Sequence, residues 1–360
     1  MVSLRLHFKG LLKNLQPPPE RVEAARALPK PVQEFLRLHP EFVTLSPHTR
    51  LAGSYAQDLS VGDVKDVDFV VRTDGDPKDN DPEAKMTIRA LKSVLDGLPE
   101  YLEMQGYAEI EVTGARRSVH VCFPEQNFHL DVVPCIAPDG FNEPLWVPDR
   151  GFNRWIPSHP LGAVQQVTDL ETAYPGKFRN LSKLTKHFRN GQMKRSRPKS
   201  YWLLTLLIHE FRDNGFTGSD PLPESFHTLI DRLCKRLAPI YGRTDGVTPN
   251  LKDPMLGHNV SWNWGRGDFE TFMRRLDDGR RWSQYALDAA AKDDLDEAVK
   301  QWRRVFGDKF PTDVTELARA EASTRQPGKT SVASAGLILP GAAARTLPVP
   351  PTKYYGEPVD

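Results

Sequence analysis

Gly53-Ser54, an eleven-residue spacer and then Asp66-Val67-Asp68-Phe69-Val70-Val71 form the stretch on which the fold reading turns. In an extended strand successive side chains point to opposite faces, which puts Asp66 and Asp68 together on one face and sends Val67 and Phe69 into the core. Magnesium takes a few carboxylate oxygens together with substrate phosphate rather than an all-protein cage. Two carboxylates on one rigid strand, close in sequence to a turn able to cradle phosphate, therefore suit an ion that arrives with a nucleotide. Each piece alone is ordinary: Gly-Ser is a common turn, and an isolated Asp-x-Asp is a solvated strand end.

A third carboxylate turns the pair into a constellation. Asp131 lies in Phe128-His129-Leu130-Asp131-Val132-Val133, an apolar, β-prone run where burying an unpartnered carboxylate is costly, so a cation nearby is the natural reason for it. Three carboxylates imply two ions. One lowers the pKa of an attacking hydroxyl and the other steadies a triphosphate and its departing pyrophosphate. Asp66 and Asp68 are expected to bridge the two Mg2+ ions, with Mn2+ as a substitute, and Asp131 to hold the ion nearest the nucleophile. His129 shares the face of Asp131 and is expected to support it rather than ligate, because magnesium favours oxygen. His120, His187 and His209 show no zinc spacing and read as structural or exposed.

Composition bounds the rest. With 360 residues and 39% apolar content, two domains are the better expectation. No apolar run is long enough for a membrane span, and Leu4–Lys9 is too short and too charged for a leader, so a cytoplasmic address is expected. Cys122, Cys135 and Cys234 form no CxxC pair and read as reduced thiols. A net charge of +1 speaks against a large nucleic-acid partner, whose binding rests on phosphate neutralisation.

Helical periodicity marks residues 19–38, broken by prolines. A strand over Arg50–Ala52 feeds the Gly-Ser turn, Asp63–Val71 reads as the carboxylate strand, Thr73–Pro82 as a loop and Asp81–Leu98 as a helix. Ala108–Thr113 and Ser118–Phe123 read as a hairpin, and the strand from Phe128 is expected to stop at Pro134. After a Pro-rich crossing over Pro144–Pro160 the pattern turns helical, clearest in Leu181–Phe188 and Tyr201–Phe211. The expected division is 1–165 for N-terminal helices and catalytic core, 166–322 for a helical domain closing the cleft, and 323–360 for a Pro/Ala/Gly-rich flexible tail.

At these residues the chain resembles the DNA polymerase β-like nucleotidyltransferase superfamily, whose signature is Gly-Ser, a spacer, Asp-x-Asp and a later Asp. Leu184-Thr185-Lys186-His187-Phe188-Arg189, Lys199-Ser200-Tyr201, Asp253-Pro254 with Asn259-Val260, and Trp302 to Pro311 are similar to motifs of its cGAS/DncV-like nucleotidyltransferases. The resemblance covers residues 45–311. It implies an α+β fold: a palm with a mixed twisted sheet and helices, plus an α-helical domain similar to oligoadenylate synthetase. It also implies roles. Gly53 would let the backbone approach a triphosphate and Ser54 would bond it; Lys186 would meet phosphate as a point charge, Ser200 would add a hydroxyl at a helix start, and Tyr201 would stack on a base. By pattern alone Tyr201 shares a helical face with Leu204, Ile208 and Phe211 and reads as core, while Lys186 reads as an exposed lysine. The basic run Lys194, Arg195, Arg197 and Lys199 reads either as a solvated loop or as a guide for phosphates. One departure is plain: relatives often continue Gly-Ser-Tyr-Ala-Arg-Gly-Thr, whereas Gln57-Asp58-Leu59 stands here, and Asp58 is expected to face solvent.

The function the resemblance implies is condensation of nucleoside triphosphates, ATP among them, into a cyclic di- or oligonucleotide that activates a separately encoded effector in bacterial anti-phage defence. Transfer of a nucleotide to another acceptor (an RNA end, a protein or a small molecule) and a silent nucleotide-binding relative remain as alternatives. An intact carboxylate triad argues against the silent relative, since crowded like charges are expensive to keep.

Overall fold

The computed structural model describes residues 2–77, 83–195, 197–216, 221–260, 264–324, 330–332 and 338–340. One mixed sheet carries the carboxylates. β1 (Thr44–Ala52) runs antiparallel to β2 (Asp66–Thr73), and β3 (Glu111–Gly114) and β4 (Val119–Phe123) form a hairpin whose second strand pairs antiparallel with β5 (Phe128–Ile136). β5 lies parallel to β2, so the order is β1-β2-β5-β4-β3. A parallel pair needs a crossover. Here it is supplied by α5 (Glu83–Leu95), α6 (Leu98–Glu103) and the β3–β4 hairpin.

Alternation works as the sequence pattern requires. Val67, Phe69 and Val71 of β2 and Leu130 and Val132 of β5 are buried in one cluster with Val32 and Leu36 of α3 (Pro29–Leu38) and Ile88 and Leu91 of α5. On the opposite face Asp66, Asp68 and Asp131 stand toward one end, while Val70 and Cys135 further along are buried in a separate small cluster with Phe141, Leu145 and Val147. The expected helix over 81–98 is α5, which ends at Leu95; a separate short helix, α6, starts at Leu98 with Pro99 in its first turn, where proline is tolerated as it is not in a helix interior. Residues 78–82 of the expected loop lie outside the described residues.

β5 runs past Pro134 to Ile136, contrary to the expected stop. His129 donates its N–H to Lys65 O on the β2 side, so by alternation the Pro134 nitrogen faces the other edge, where pairing with β4 has already ended at Val132. A missing donor is harmless there. The Pro-rich crossing also holds structure of its own, the hairpin β6 (Leu145–Asp149) and β7 (Arg154–Ser158), joined to β5 only at Ile136–Trp146. Its free edges accommodate Pro148 and Pro157.

A second cluster gathers α8 (Phe178–Gln192), α9 (Ser200–Asn214), α10 (Leu222–Tyr241), α11 (Arg266–Ala291) and α12 (Leu295–Phe306). Gly279 lets α11 approach α8, since a Cβ there would stand 2.8 Å from the Phe188 ring. The helix α1 (Val2–Leu15), grouped in the sequence division with the catalytic part, packs into this helical cluster through Leu4, Phe8, Leu11 and Leu15. Phe8 meets Trp302 edge-on at 4.8 Å and Phe310 at 5.5 Å. The Trp302-to-Pro311 motif thus serves the core. α2 (Pro19–Ala27) buries Ala25 in the sheet cluster, α7 (Pro160–Ala173) buries Val167 and Leu170 in the helical one, and the single turn α4 (Gly53–Ala56) follows β1 directly. Beyond α13 (Thr315–Thr324) only the short antiparallel pair β8 (Thr330–Val332) and β9 (Ile338–Pro340) is described; the rest of the expected tail lies outside the described residues.

Candidate active site

The register of β2 against β5 aligns Asp68 with Asp131 and Asp66 with His129. Neighbouring strands lie about 4.8 Å apart and paired residues share a face, so the three carboxylates occupy one side of two adjacent strands. Burial first, and then the neighbouring Asp131 and Asp66, push the pKa of Asp68 up to about 6. β4 extends the row by setting His120 beside Asp131. Asp131 Oδ1 is held by His120 Nδ1 and accepts from Ser118 Oγ at 3.3 Å.

His120 therefore occupies the supporting place that the sequence reading gave to His129. His129 is exposed and makes no side-chain hydrogen bond among the described residues. The signal for His120 was long-range: it is cross-strand from Asp131 only once the β4–β5 register is known. His187 and His209 bond the carbonyls of Phe306 and Lys252, at 2.8 and 2.7 Å, as structural histidines do.

Gly53 begins α4 with φ +69°, and a Cβ placed on it would stand 2.0 Å from Asp68 Oδ2. The glycine makes room for the carboxylate itself. Ser54 follows in the same turn. Facing them across a cavity of about 510 Å3 is α8, which contributes Ser182, Lys186 and Arg189, with Ser200 and Tyr201 from the start of α9. Gly53, Ser54, Asp66, Asp68, Lys186, Ser200 and Tyr201 all line this one cavity; Asp131, paired with Asp68 on the adjacent strand, is not among its lining residues.

Lys186 is half-buried with Nζ 3.3 Å from Leu59 O. Burial first, and Arg189 second, bring its pKa down to about 8 against the pull of Asp66 and Asp68. Arg189, which the sequence reading left without a role, is almost fully buried. It donates to Pro198 O at 2.7 Å, to Asn190 Oδ1 at 2.7 Å and to Ser200 Oγ at 3.3 Å, with no carboxylate partner among the described residues. Its spacing from Lys186, three residues along α8, was the available clue. Of the basic run, Arg197 lines the cavity and Lys194, Arg195 and Lys199 do not. Asp58 is exposed and bonds Lys183 Nζ at 2.9 Å, as a solvent-facing residue can.

Tyr201 is 38% exposed while Leu204, Ile208 and Phe211 are buried, so it leaves the core stripe its spacing suggested. Its hydroxyl donates to Asp253 Oδ2 at 2.6 Å, and burial together with that bond raises its pKa. Buried Asp253 also accepts from the N–H groups of Met255 and Leu256. Tyr201, Gly53 and Gln57 border a second cavity of about 590 Å3, which continues past Asp253 and His258 to Arg117, Phe152 and Arg154 on and around the β6–β7 hairpin. Two nucleotide-sized spaces thus meet at one aromatic ring.

The donor set fits hard divalent cations. The three carboxylates offer only oxygen, and no Lys or Arg is ion-paired to them among the described residues; burial and then the neighbouring carboxylates disfavour the charge on Asp68, and a cation would favour it. As they stand, no three acidic, His or Cys side chains among the described residues are grouped closely enough to hold a metal ion.

Residues 2–170 match the Second Messenger Oligonucleotide or Dinucleotide Synthetase domain. Over 99% of its length the chain is 27% identical to a cyclic AMP-AMP-AMP synthase of an Acinetobacter species, covering 98% of that protein. The fold matches Escherichia coli CdnC solved with ATP, with a TM-score of 0.62 at 20% identity over 84% of this chain and 98% of that one. It also matches Vibrio cholerae DncV solved with a linear pppA(3′,5′)pG intermediate, with a TM-score of 0.54 at 19% identity over 73% and 69%. Among the described residues no helix is long and apolar enough to cross a membrane. With the Gly-Ser and carboxylate signature on adjacent strands, the matched synthetase domain and the fold shared with CdnC and DncV, the chain is similar to the cGAS/DncV-like nucleotidyltransferases.

Proposed function

We propose that this protein joins nucleoside triphosphates into a cyclic oligonucleotide, releasing pyrophosphate at each bond, and that the product is a second messenger acting on a separately encoded effector in anti-phage defence. The observation that carries the reading is the register setting Asp68 beside Asp131, with a cavity between this sheet face and the cationic face of α8. In each step a ribose hydroxyl attacks an α-phosphorus, the bond to the β-phosphate oxygen breaks, and the hydroxyl proton is lost. Asp66, Asp68 and Asp131 would hold two Mg2+ ions, which supply charge neutralisation and a more acidic hydroxyl.

The chain's own groups bind and orient. Gly53 and Ser54, with Lys186 and Ser200, cradle the triphosphate of the donor; Arg189 fixes Ser200 and adds positive potential. Tyr201 offers a stacking platform, held in its plane by Asp253. The second cavity takes the acceptor nucleotide. His120 orients Asp131. Relatives similar to this chain carry names of cyclic AMP-AMP-AMP and cyclic AMP-AMP-GMP synthases, which favours ATP as a substrate here.

The test is incubation of the purified protein with each labelled nucleoside triphosphate and Mg2+ or Mn2+, followed by phosphatase and linkage-specific nucleases. A phosphatase-resistant product is expected, and Asp66→Ala with Asp68→Ala should abolish it while the melting transition is kept. Retained turnover in that double variant would remove the assigned site. Label found on RNA ends or protein, with no resistant nucleotide, would replace cyclisation by transfer to another acceptor.

A further inference from the structure

Ser182 lies four residues before Lys186 and seven before Arg189 on α8, so the three share one helix face. That face lines the cavity opposite Gly53, Ser54, Asp66 and Asp68. Ser182 is only 5% exposed, and its Oγ has no hydrogen-bond partner among the described residues. Buried hydroxyls are normally paired, and in a helix the carbonyl one turn back is an easy partner. Thr185 takes it, donating to Leu181 O at 2.7 Å, and Thr168 likewise reaches Val164 O at 3.1 Å. Ser182 does not. Of the described residues that carry a buried, unpartnered side-chain polar atom, Ser182 alone lines this cavity.

The chemistry of the surroundings selects what the hydroxyl meets. Lys186 and Arg189 stand on the same face, Arg197 is nearby, and no carboxylate is ion-paired with Lys186 or Arg189 among the described residues. An anionic oxygen is the ligand such a wall takes. We propose that Ser182 donates its hydroxyl proton to a non-bridging oxygen of the donor nucleotide's polyphosphate chain, beside Lys186. This rests on the nucleotidyltransferase reading of the cavity and adds to it a residue outside the Gly53-Ser54, Leu184–Arg189 and Lys199-Ser200-Tyr201 motifs.

A contact made equally before and during reaction supports binding rather than the chemical step. In the full-length protein Ser182→Ala should raise the Kd for a nonhydrolysable ATP analogue, and the KM for ATP, by about 10-fold, as expected for a lost hydrogen bond to a charged group. The kcat should stay within about twofold of the wild type. Adenosine, which lacks the polyphosphate, should bind both proteins equally, and Tm should hold or rise because an unpaired buried hydroxyl is gone. Unchanged Kd for the ATP analogue, or an equal loss of ATP analogue and adenosine, would overturn the assignment of Ser182 alone. Wild-type protein that binds neither ligand would overturn the cavity's function as well.

Discussion

Replacing Gly53 by Ala separates two reasons for having glycine at the start of α4. With φ at +69°, an alanine would carry the left-handed penalty of roughly 1–2 kcal/mol, which corresponds to a fall in Tm of about 2–8 °C at most for a protein of this size. The sharper effect is local. The added Cβ would stand 2.0 Å from Asp68 Oδ2, whereas such contacts essentially never fall below 3.0 Å, so the carboxylate has to retreat by the 1.0 Å difference. A misplacement of about 1 Å in a reacting constellation costs on the order of 100-fold in rate. Initial rates of product formation against ATP concentration, with calorimetry on a nonhydrolysable analogue, give kcat and affinity separately. The expected result for Gly53→Ala is a kcat about 100-fold lower with nucleotide affinity within a few-fold of wild type. A folded variant with undiminished kcat and a raised KM would refute the role argued from Asp68, and would return Gly53 to the role of admitting phosphate to the backbone.

Two further outcomes follow from the packing and charge of the site. Because Lys186 in the free protein titrates at about 8, it loses its charge as pH rises through that value, and a bound polyphosphate restores it. ATP-analogue affinity should fall above about pH 8 by up to tenfold per pH unit, with proton uptake on binding between about pH 8 and 10 in calorimetry run in buffers of different ionisation enthalpy; Lys186→Ala should abolish both, and uptake that persists in the variant would contradict the assignment. Phe8→Ala should cost about 3–5 kcal/mol in urea unfolding, since Phe8 is fully buried against Trp302, Phe306 and Phe310; a loss under 1 kcal/mol would mean that α1 is not docked in the helical core.

The resemblance and the strand pattern made the α+β class legible, and the particular misses share one cause. Leu4, Phe8, Leu11 and Leu15 have helical spacing, but spacing does not say which core a helix joins, and α1 chose the distant helices. Pro134 and the prolines of residues 144–160 read as strand breakers because local propensity cannot see that the neighbouring edge is empty. Tyr201 read as core by its period, yet it opens α9 at the rim of the cavity and so escapes the stripe.

What sequence alone determined is whatever depends on neighbours along the chain. Alternation puts Asp66 and Asp68 on one face, turn chemistry sets Gly53-Ser54 just before them, and an apolar run around Asp131 marks it as anomalous. The tertiary structure decided everything that depends on pairing across distance. The β2–β5 register brings Asp131 level with Asp68, the β4 register puts His120 rather than His129 beside it, and the approach of α8 sets Ser182 and Arg189 in the wall of the cavity that Asp66 and Asp68 also line. Register and helix docking are fixed by burial of whole faces, a property of many residues at once, and no single local pattern contains them.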